Sequence, residues 1–492
     1  MRKALTISGS LLAVGLVVVV TTNFIPSLFD QSAGNRTALA IPPLAESQLV
    51  EGTRVFDLSL QTGETEILQG TTTPTWGVNA GYLAPTIRAA EGETVQFNVS
   101  NGLPEDTTMH WHGLHVPAMM DGGPHQPIHV GQTWSPSWLV DQAASTNWYH
   151  PHLHGRSEAH VKNGLVGMFI VDDASEAQSE LPKAYGVDDI PLIIHDSPEE
   201  LTTQGPIRAF FDRILGNREG DAITLVNGSP EPEFTVKTEL VRFRLLNGSI
   251  GDVFNLSFSD NREFSVIASE GGLFGAPVKV EEIQMSPGER YEIVVVFKPG
   301  DDVALMKSIV DEGAEDSPVT ALLHLGTESA LQSSQGLPVE FGALPLVDLD
   351  SVSRVRTFEM SGVEINGLMM NMDRIDQVVH AGSSEIWSVT NIDRFEFHNF
   401  HVHGVSFRIL EIGGEQPADY LASDKDTVFI PPNTEVKLFV TFPDSASDGW
   451  PFMFHCHFLR HEGRGMMGQY LVVEANQSLN PADHKIASGM SH

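Results

Sequence analysis

The sequence predicts an all-β protein built from three β-sandwich domains. Short runs of alternating apolar and polar residues recur along the chain, bounded by Gly, Pro or Asn, as at 93–101 and 291–297. Helical periodicity is scarce. One unit also occurs twice, at 148–171 and 452–473: an aromatic strand end with a His-x-His pair, a loop, and an apolar strand interrupted by glycine.

The repeated unit marks the two end domains, because the middle third of the chain has strands but no His-x-His pair. We expect domains at 45–178, 179–345 and 346–475, with the middle domain acting as a spacer. A chain of 492 residues with 41% hydrophobic residues has enough apolar material for three cores.

The chain is strongly acidic, with a formal net charge of −35 at pH 7. The acidic residues are spread along the chain, which indicates a solvated acidic surface that keeps the protein soluble. Such a surface repels phosphates, so we expect no nucleic-acid partner.

The N-terminus has the pattern of an export signal. Two basic residues precede an uncharged run over 4–29, and Ala38-Leu39-Ala40 is typical of a signal-peptidase site. We therefore expect residues 1–40 to be a cleaved signal peptide and the protein to be periplasmic or extracellular. The uncharged run exceeds the about 20 residues that span a bilayer, so a retained membrane anchor is the alternative.

Four segments hold most of the histidines, and each contains a His-x-His pair. Buried imidazole nitrogens need partners, so four such pairs exceed what core packing explains. Residues i and i+2 of a strand face the same side, so the pairs predict an eight-imidazole metal cage. Copper, zinc, iron and nickel all suit imidazole, so the cage alone does not identify the metal. The eight residues are His110, His112, His150, His152, His401, His403, His455 and His457.

The only cysteine, Cys456, lies between the two histidines of the fourth pair. It could be a buried small hydrophobic residue, an intermolecular bridge or a metal thiolate. If the strand continues through 455–457, the thiol faces away from the cage. His461 and Met466 follow at intervals of five residues, and with His398 they complete a His₂Cys set with an axial Met. That set is typical of blue copper, whereas zinc favours more cysteines or a carboxylate.

In these four motifs, their order and their spacing, the chain resembles the multicopper oxidases of the laccase-like bacterial three-domain branch. The resemblance covers about 45–475. It implies cupredoxin-like Greek-key sandwiches and four coppers: one type 1, one type 2 and two type 3. The last three would form a trinuclear cluster between domains 1 and 3.

The resemblance also assigns each ligand to a copper. The type 1 copper would be bound by His398, Cys456, His461 and Met466. The type 2 copper would be bound by His110 and His401. The type 3 coppers would be bound by His112, His150 and His457 and by His152, His403 and His455.

The implied activity is that of an oxidase. Single electrons from a reducing substrate would pass through Cys456 and its flanking histidines to the cluster, where O₂ is reduced to water. Asp121 and Glu462 match positions that deliver protons in family members. The alternative for each is a turn acid, or a hydrogen-bond partner that orients a histidine.

The electron donor is less specified by the sequence. No long methionine-rich insert is present, so we expect phenols or other aromatic donors, with cuprous or another metal ion as the alternative. The segment 365–373 contains Met369, Met370 and Met372, which we interpret as core filling rather than as a Cu(I) site. Asp393 and Glu396 are expected to line the substrate edge.

Three other interpretations are weaker. Non-enzymatic relatives that serve cell division have lost the copper ligands, whereas all twelve stand here. A copper-sequestering protein would not need a solitary cysteine in a blue-copper set. A two-domain nitrite reductase would be shorter and hold copper between subunits, whereas both halves of the cage occur in this chain, which predicts a monomer.

Overall fold

The computed structural model describes residues 36–174, 180–198, 223–311 and 317–487. Their strands form six sheets, which follow one another along the chain in three pairs. Each pair encloses one large apolar core, so the predicted all-β architecture of three sandwiches is confirmed. The domain boundaries remain predictions.

The first sandwich contains one sheet in the order β1-β2-β5-β7, with β3 on β2 and β8 on β5, and a second sheet in the order β4-β10-β9-β6. The alternation in β5 explains its place, because Val95, Phe97 and Val99 are fully buried while the residues between them are not. The strands are β1 Gln48–Val50, β2 Thr53–Leu68, β3 Thr71–Val78, β4 Ile87–Ala90, β5 Thr94–Asn101, β6 His110–His112, β7 Thr133–Trp134, β8 Ser137–Leu139, β9 Ser145–His150 and β10 Gly167–Asp172.

The second sandwich has sheets in the orders β12-β11-β14-β19-β16-β17 and β13-β21-β20-β15-β18. Every residue of β14 is buried, as is typical of a strand covered on both faces. The strands are β11 Asp189–Asp196, β12 Thr224–Val226, β13 Glu233–Thr238, β14 Leu240–Asn247, β15 Phe254–Phe258, β16 Phe264–Ser269, β17 Gly272–Val280, β18 Glu282–Met285, β19 Arg290–Val296, β20 Asp302–Ile309 and β21 Thr320–Gln332.

The third sandwich has sheets in the orders β23-β22-β25-β30-β27-β28 and β24-β32-β31-β26-β29. Its core is rich in aromatic residues and includes Cys456 and Met466. The strands are β22 Val352–Ser361, β23 Glu364–Ile365, β24 Gln377–His380, β25 Ser384–Asn391, β26 His398–Val402, β27 Phe407–Ile412, β28 Asp424–Lys425, β29 Thr427–Ile430, β30 Thr434–Thr441, β31 Phe452–His455 and β32 Met467–Val473.

Two strand pairs, one in each end sandwich, position the histidines. In the first sandwich β6 pairs with β9, and His110 lies opposite His150. In the third, β26 pairs with β31, and His401 lies opposite His455. A short helix follows each pair: α1 over Ser157–Lys162 and α2 over Leu459–Gly463. Short 3-10 helices lie at Ala118–Met120, Leu349–Ser351, Asp419–Leu421 and Pro481–Asp483.

The segment that contains the predicted cleavage site packs on the second sandwich. Leu39 is 8% exposed in that core, and its amide donates to the carbonyl of Glu233 at 2.7 Å. Cleavage after Ala40 stays a prediction, and it would remove Leu39 from this core. Residues 1–35 of the predicted signal peptide lie outside the described residues. Over the described ranges, we find no helix with the length and apolar character needed to cross a membrane.

Candidate metal centre

The eight predicted cage histidines meet between the first and third sandwiches. Each is at most 1% exposed. Rings from opposite sandwiches stack at centroid distances of 3.8 Å, both for His110 with His403 and for His112 with His401. The convergence that the His-x-His spacing predicted is therefore present.

The strand that carries the fourth His-x-His pair ends at His455, so it does not continue through 455–457. The amide of Cys456 donates to the carbonyl of Met466 at 3.2 Å, and that of His457 donates to Asn399 Oδ1 at 2.6 Å. These bonds draw the backbone out of the ladder with β26. The two sides of the backbone still diverge: the His457 ring faces the cage, and the Cys456 thiol faces a separate pocket.

The donor atoms fall into compact groups, within each of which they lie within 4.8 Å of one another. Two groups match the type 3 sets implied by the family resemblance. A third joins His110 and His401 with His112, and a fourth surrounds the thiol. A fifth group joins two cage histidines with Asp121. The groups are His112, His150 and His457; His152, His403 and His455; His110, His112 and His401; His398, Cys456 and His461; and His110, Asp121 and His403.

Hydrogen bonds on the outer side of the cage determine which ring nitrogens face inwards. His403 Nδ1 donates to Asp121 Oδ2 at 2.8 Å, and His455 Nδ1 donates to the carbonyl of Cys456 at 3.0 Å. Burial and neighbouring histidines hold the pKa of both rings well below its usual value, so neither gains a second proton. Their Nε2 lone pairs then face each other at 3.1 Å, an arrangement that a bound cation would stabilise.

The same reasoning applies to His112 and His150. His112 Nε2 donates to Asp426 Oδ1 at 3.2 Å, and His150 Nδ1 donates to the carbonyl of Pro151 at 2.9 Å. The remaining nitrogens, His112 Nδ1 and His150 Nε2, lie 3.4 Å apart with lone pairs facing. Further buried nitrogens have no hydrogen-bond partner among the described residues: His110 Nε2 and His401 Nε2, which face inwards, and both nitrogens of His457, of which only one can face the cage. Orphaned buried nitrogens of this kind fit a metal site.

Asp121, predicted as a proton donor or an orienting acid, contacts the cage directly. Its Oδ2 accepts the bond from His403, and its backbone carbonyl accepts from His110 Nδ1 at 2.9 Å. Both bonds orient inward nitrogens. Asp121 Oδ1 lies 3.5 Å from His110 Nδ1 and has no hydrogen-bond partner among the described residues.

Glu462, in α2, is fully buried beside two other histidines of the cage. Its Oε1 lies 3.6 Å from His152 Nδ1, and its Oε2 lies 3.9 Å from His455 Nδ1. Burial raises the pKa of its carboxyl to about 8, and neither carboxyl oxygen has a hydrogen-bond partner among the described residues. The carboxyl is therefore placed to hold a proton beside the cage.

Sequence reasoning missed Asp426 and Arg290. The carboxylate of Asp426 accepts from His112, and its backbone carbonyl accepts from His401 Nδ1 at 2.8 Å. Burial alone would raise the pKa of Asp426, but the charge of Arg290 and the contact with His112 lower it well below its usual value. Neither residue carries a spacing signal, because their partners are far away in the chain. Arg290 belongs to the central domain, which was predicted as a spacer, and it donates two hydrogen bonds to Asp426. The central domain thus supports the cage through Asp426.

The thiol pocket brings together three of the four predicted ligands at short range. Cys456 Sγ lies 3.7 Å from His398 Nδ1 and 3.6 Å from His461 Nδ1, and the two nitrogens are 3.2 Å apart. Burial raises the pKa of the Cys456 thiol to about 12, so a thiolate here needs a cation to replace the proton. Met466 is fully buried in the same core. One thiolate with two imidazoles is the donor set of blue copper.

The two acids expected at the substrate edge differ in their surroundings. Asp393 Oδ2 accepts from His398 Nε2 at 2.9 Å, and the carboxylate also accepts from Ser361 Oγ and the amide of Gly362. It therefore orients His398. Glu396 is open, with 63% of its side chain exposed and Oε2 at 3.7 Å from His461 Nε2.

None of the three methionines of the segment 365–373 is buried, so the interpretation as core filling is wrong. Met369 is 51% exposed in the loop after β23, and Met370 and Met372 are half-buried. The amide of Met370 donates to the carbonyl of Gly465 at 2.8 Å. The loop thus lies beside Met466, at the rim of the thiol pocket.

Comparison with known proteins gives a consistent family. Models described as multicopper oxidase match residues 59–176, 200–326 and 345–476. A multicopper oxidase, mco, of Staphylococcus haemolyticus is 32% identical over 448 residues, which are 90% of this chain and 94% of the relative. A cell division protein, FtsP, of Sodalis glossinidius is 36% identical over 455 residues, covering 90% and 93% of the two chains.

A solved structure agrees with these matches. The laccase-like multi-copper oxidase CueO from Ochrobactrum sp. superposes with a TM-score of 0.79 at 37% identity, covering 88% of this chain and all of that one. The three sandwiches are accordingly cupredoxin-like, as the resemblance implied. Since all three regions match one family and relatives align along nine-tenths of its length, this chain belongs to the multicopper oxidases.

Proposed function

We propose that this chain is a laccase-like oxidase that couples one-electron oxidation of phenols or other aromatic donors to four-electron reduction of O₂ to water. One observation carries the proposal. The Cys456 thiol joins His398 and His461 in one pocket, while the two residues adjacent to it in the chain point into the histidine cage. A thiolate ligand in one site is thus directly bonded, through the backbone, to ligands of the other.

The family implies copper, and the donor atoms present suit it. Four coppers are proposed, held as the resemblance implies. Bound copper would supply the one-electron couple at the thiolate and the multi-electron reduction of O₂ at the cage. The proposed ligands are His398, Cys456, His461 and Met466 for type 1, His110 and His401 for type 2, and His112, His150, His457, His152, His403 and His455 for type 3.

The acids at the cage would serve proton delivery and orientation. Glu462 is placed to hold a proton within 4 Å of His152 and His455, whereas Asp121 contacts His403. Asp121 orients His403 and His110 while its free Oδ1 remains available to a proton carrier. We therefore propose proton delivery for Glu462, and both orientation and delivery for Asp121.

The rim of the thiol pocket supports an aromatic donor. The His461 side chain is 16% exposed, which gives a donor access to one ligand edge. Beside it stand Glu396, whose carboxylate could accept a phenol hydroxyl, and Phe395, which is 78% exposed and could stack on a ring. The similar Ochrobactrum enzyme has oxidase activity towards lignin model compounds and lignosulfonate.

A cuprous or other metal-ion donor is the second candidate. The observation that favours it is the exposed thioether of Met369, in a loop bonded to Gly465 beside Met466. Thioether sulfur is a soft ligand and suits Cu(I).

The similarity to FtsP raises cell division as a role without enzymatic activity. Inward nitrogens that converge and have no hydrogen-bond partner among the described residues favour metal binding and oxidation instead. We further propose that the protein is exported, to the periplasm or outside the cell, and that it acts as a monomer.

A copper count and O₂ consumption against a donor panel test the proposal. We expect about four coppers per chain, an intense blue absorption band, and O₂ uptake with a methoxyphenol that exceeds uptake with Cu(I). Protein stripped by a chelator is the control and should lose both colour and uptake. Full copper loading without phenol turnover would contradict the aromatic donor, and turnover of Cu(I) alone would favour the second candidate.

A further inference from the structure

One arginine of the central sandwich reaches the histidine cage. Arg290, the first residue of β19, is fully buried. Its two terminal nitrogens donate to the two carboxylate oxygens of Asp426 at 2.8 and 2.6 Å, and its Nε donates to the carbonyl of Thr146 at 3.1 Å. Arg290 thus links the second sandwich to the third and to the first. Paired bonds of this kind hold both partners in one geometry.

Asp426, held by Arg290, in turn orients the rings of two cage histidines. Its Oδ1 accepts from His112 Nε2, which belongs to the first sandwich, and its carbonyl accepts from His401 Nδ1, which belongs to the third. The two rings stack on each other across the interface at 3.8 Å. One carboxylate residue therefore orients a ligand on each side of the cage.

The bond to Asp426 makes His112 different from its neighbours. Five cage histidines use Nδ1 for their outer bond and so direct Nε2 inwards, whereas His112 uses Nε2 and directs Nδ1 inwards. Thr427 Oγ1 also lies 3.4 Å from Nε2, but that hydroxyl itself donates to Asp426 Oδ1 at 2.8 Å, so Asp426 provides the bond that selects this tautomer. The five histidines with an outer Nδ1 bond are His110, His150, His401, His403 and His455.

The residue after His112 is a glycine, which leaves space for the ion pair of Arg290 and Asp426. Gly113 has a φ of +86°, and a Cβ atom there would collide with Arg290 Nη2 and lie 2.8 Å from Asp426 Oδ2. Any larger residue would displace the guanidinium from the carboxylate. The backbone beside the ligand is therefore shaped around this ion pair.

We infer that Arg290 is a positioning residue for the metal cage: by orienting Asp426 it holds His112 with Nδ1 inwards and His401 with Nε2 inwards. The central sandwich, which has no His-x-His pair, then helps to determine metal affinity at the cage. The copper measurements below rest on the proposed function, whereas the tautomer of His112 does not.

The test compares Arg290→Met and Arg290→Lys with the unmodified protein. Long dialysis against a series of chelator concentrations measures the affinity of the cage for copper. We expect this affinity to fall at least about tenfold in Arg290→Met, because loss of a residue that orients a metal ligand lowers metal affinity by about 10- to 100-fold. The copper affinity of Arg290→Lys should lie between those of Arg290→Met and the unmodified protein, because lysine keeps the positive charge but cannot make the paired bonds. The blue band should persist in both variants, because its proposed ligands His398, Cys456 and His461 do not contact Arg290. A persistent blue band also shows that the variant is folded.

The matched control is Arg356→Met. Arg356 also makes paired bonds to a buried carboxylate, that of Glu385, and its other hydrogen bonds go to Gln377 and the carbonyl of Val378, away from the histidines. This control should keep its cage copper and its blue band. An equal loss of cage copper in Arg356→Met and Arg290→Met would overturn the inference, because any buried arginine would then matter alike.

Nitrogen-15 resonances of the histidines in metal-free protein give a readout that does not depend on copper. We expect His112 to carry its proton on Nε2 in the unmodified chain and to lose this preference in Arg290→Met and in Asp426→Asn. If Arg290→Met does not fold, Arg290→Lys and Asp426→Asn decide the question. An unchanged His112 tautomer in the folded variants would overturn the inference, whereas absence of copper binding by the unmodified chain would contradict the proposed function alone.

Discussion

Gly288 lies where the second sandwich closes on the cage, and replacing it with alanine should expel metal. Its φ is +87°, and a Cβ atom there would lie 3.1 Å from His457 Cγ and 3.3 Å from His112 Cε1. The left-handed backbone costs a residue with a side chain about 1–2 kcal/mol. Crowding against two buried rings adds about 1–3 kcal/mol.

The total for Gly288→Ala is therefore about 2–5 kcal/mol, and the crowding part falls on two proposed ligands of one copper. Because 1.4 kcal/mol is a factor of about ten in affinity, we expect the copper held by His112 and His457 to bind about tenfold or more weakly. The assay is the copper count per chain after long dialysis against a chelator, together with the midpoint of thermal unfolding.

Gly52→Ala is the matched control. Gly52 has nearly the same φ, +88°, but a Cβ atom there would meet no atom within 4 Å. It should carry the backbone cost of about 1–2 kcal/mol and keep its copper. If Gly288→Ala retains all its copper and unfolds at the same temperature as Gly52→Ala, the rings have room to move and the packing reasoning is wrong.

Three further predictions concern the thiol, the buried acid and the N-terminal segment. Cys456→Ser should lose the blue band and donor-driven O₂ uptake while keeping the cage metals, as shown by absorption and metal analysis; a blue serine variant would contradict the thiolate assignment. Glu462→Gln should lower O₂ consumption about 100-fold at an unchanged copper count, because it removes a proton carrier, whereas the more exposed Glu158→Gln should have little effect. In the uncleaved chain, Leu39→Ala should destabilise the protein by about 2–3 kcal/mol in urea unfolding, whereas Leu49→Ala, at a residue 74% exposed, should change stability by less than about 0.5 kcal/mol; equal effects in uncleaved protein would show that Leu39 is not a core residue.

The histidine cage could be predicted because its information is local. The spacing of two residues within each pair places both rings on one side of a strand, and that relation survives where the strand ends early, as at His455. The thiol pocket followed from the same alternation. The three-sandwich fold likewise followed from short alternating runs, such as β5, which have the same period along the whole chain.

The residues that orient the cage could not be predicted in this way. Arg290 and Asp426 are 136 positions apart in the chain, and the interaction between them exists only once the second and third sandwiches have packed. Gly288 has no side chain to carry a signal. Met369 was misinterpreted because an apolar side chain in a β protein is usually buried, whereas here it lies in a loop at the rim of a pocket.

The burial of the cage histidines has a consequence for the kinetics of metal loading. Every ring is at most 1% exposed, and stacked pairs from opposite sandwiches close the space between them. An ion that enters or leaves must pass between packed side chains, which requires small local openings of the structure. Protein produced without copper should therefore fill more slowly than diffusion allows, and a chelator should empty filled protein only over long dialysis.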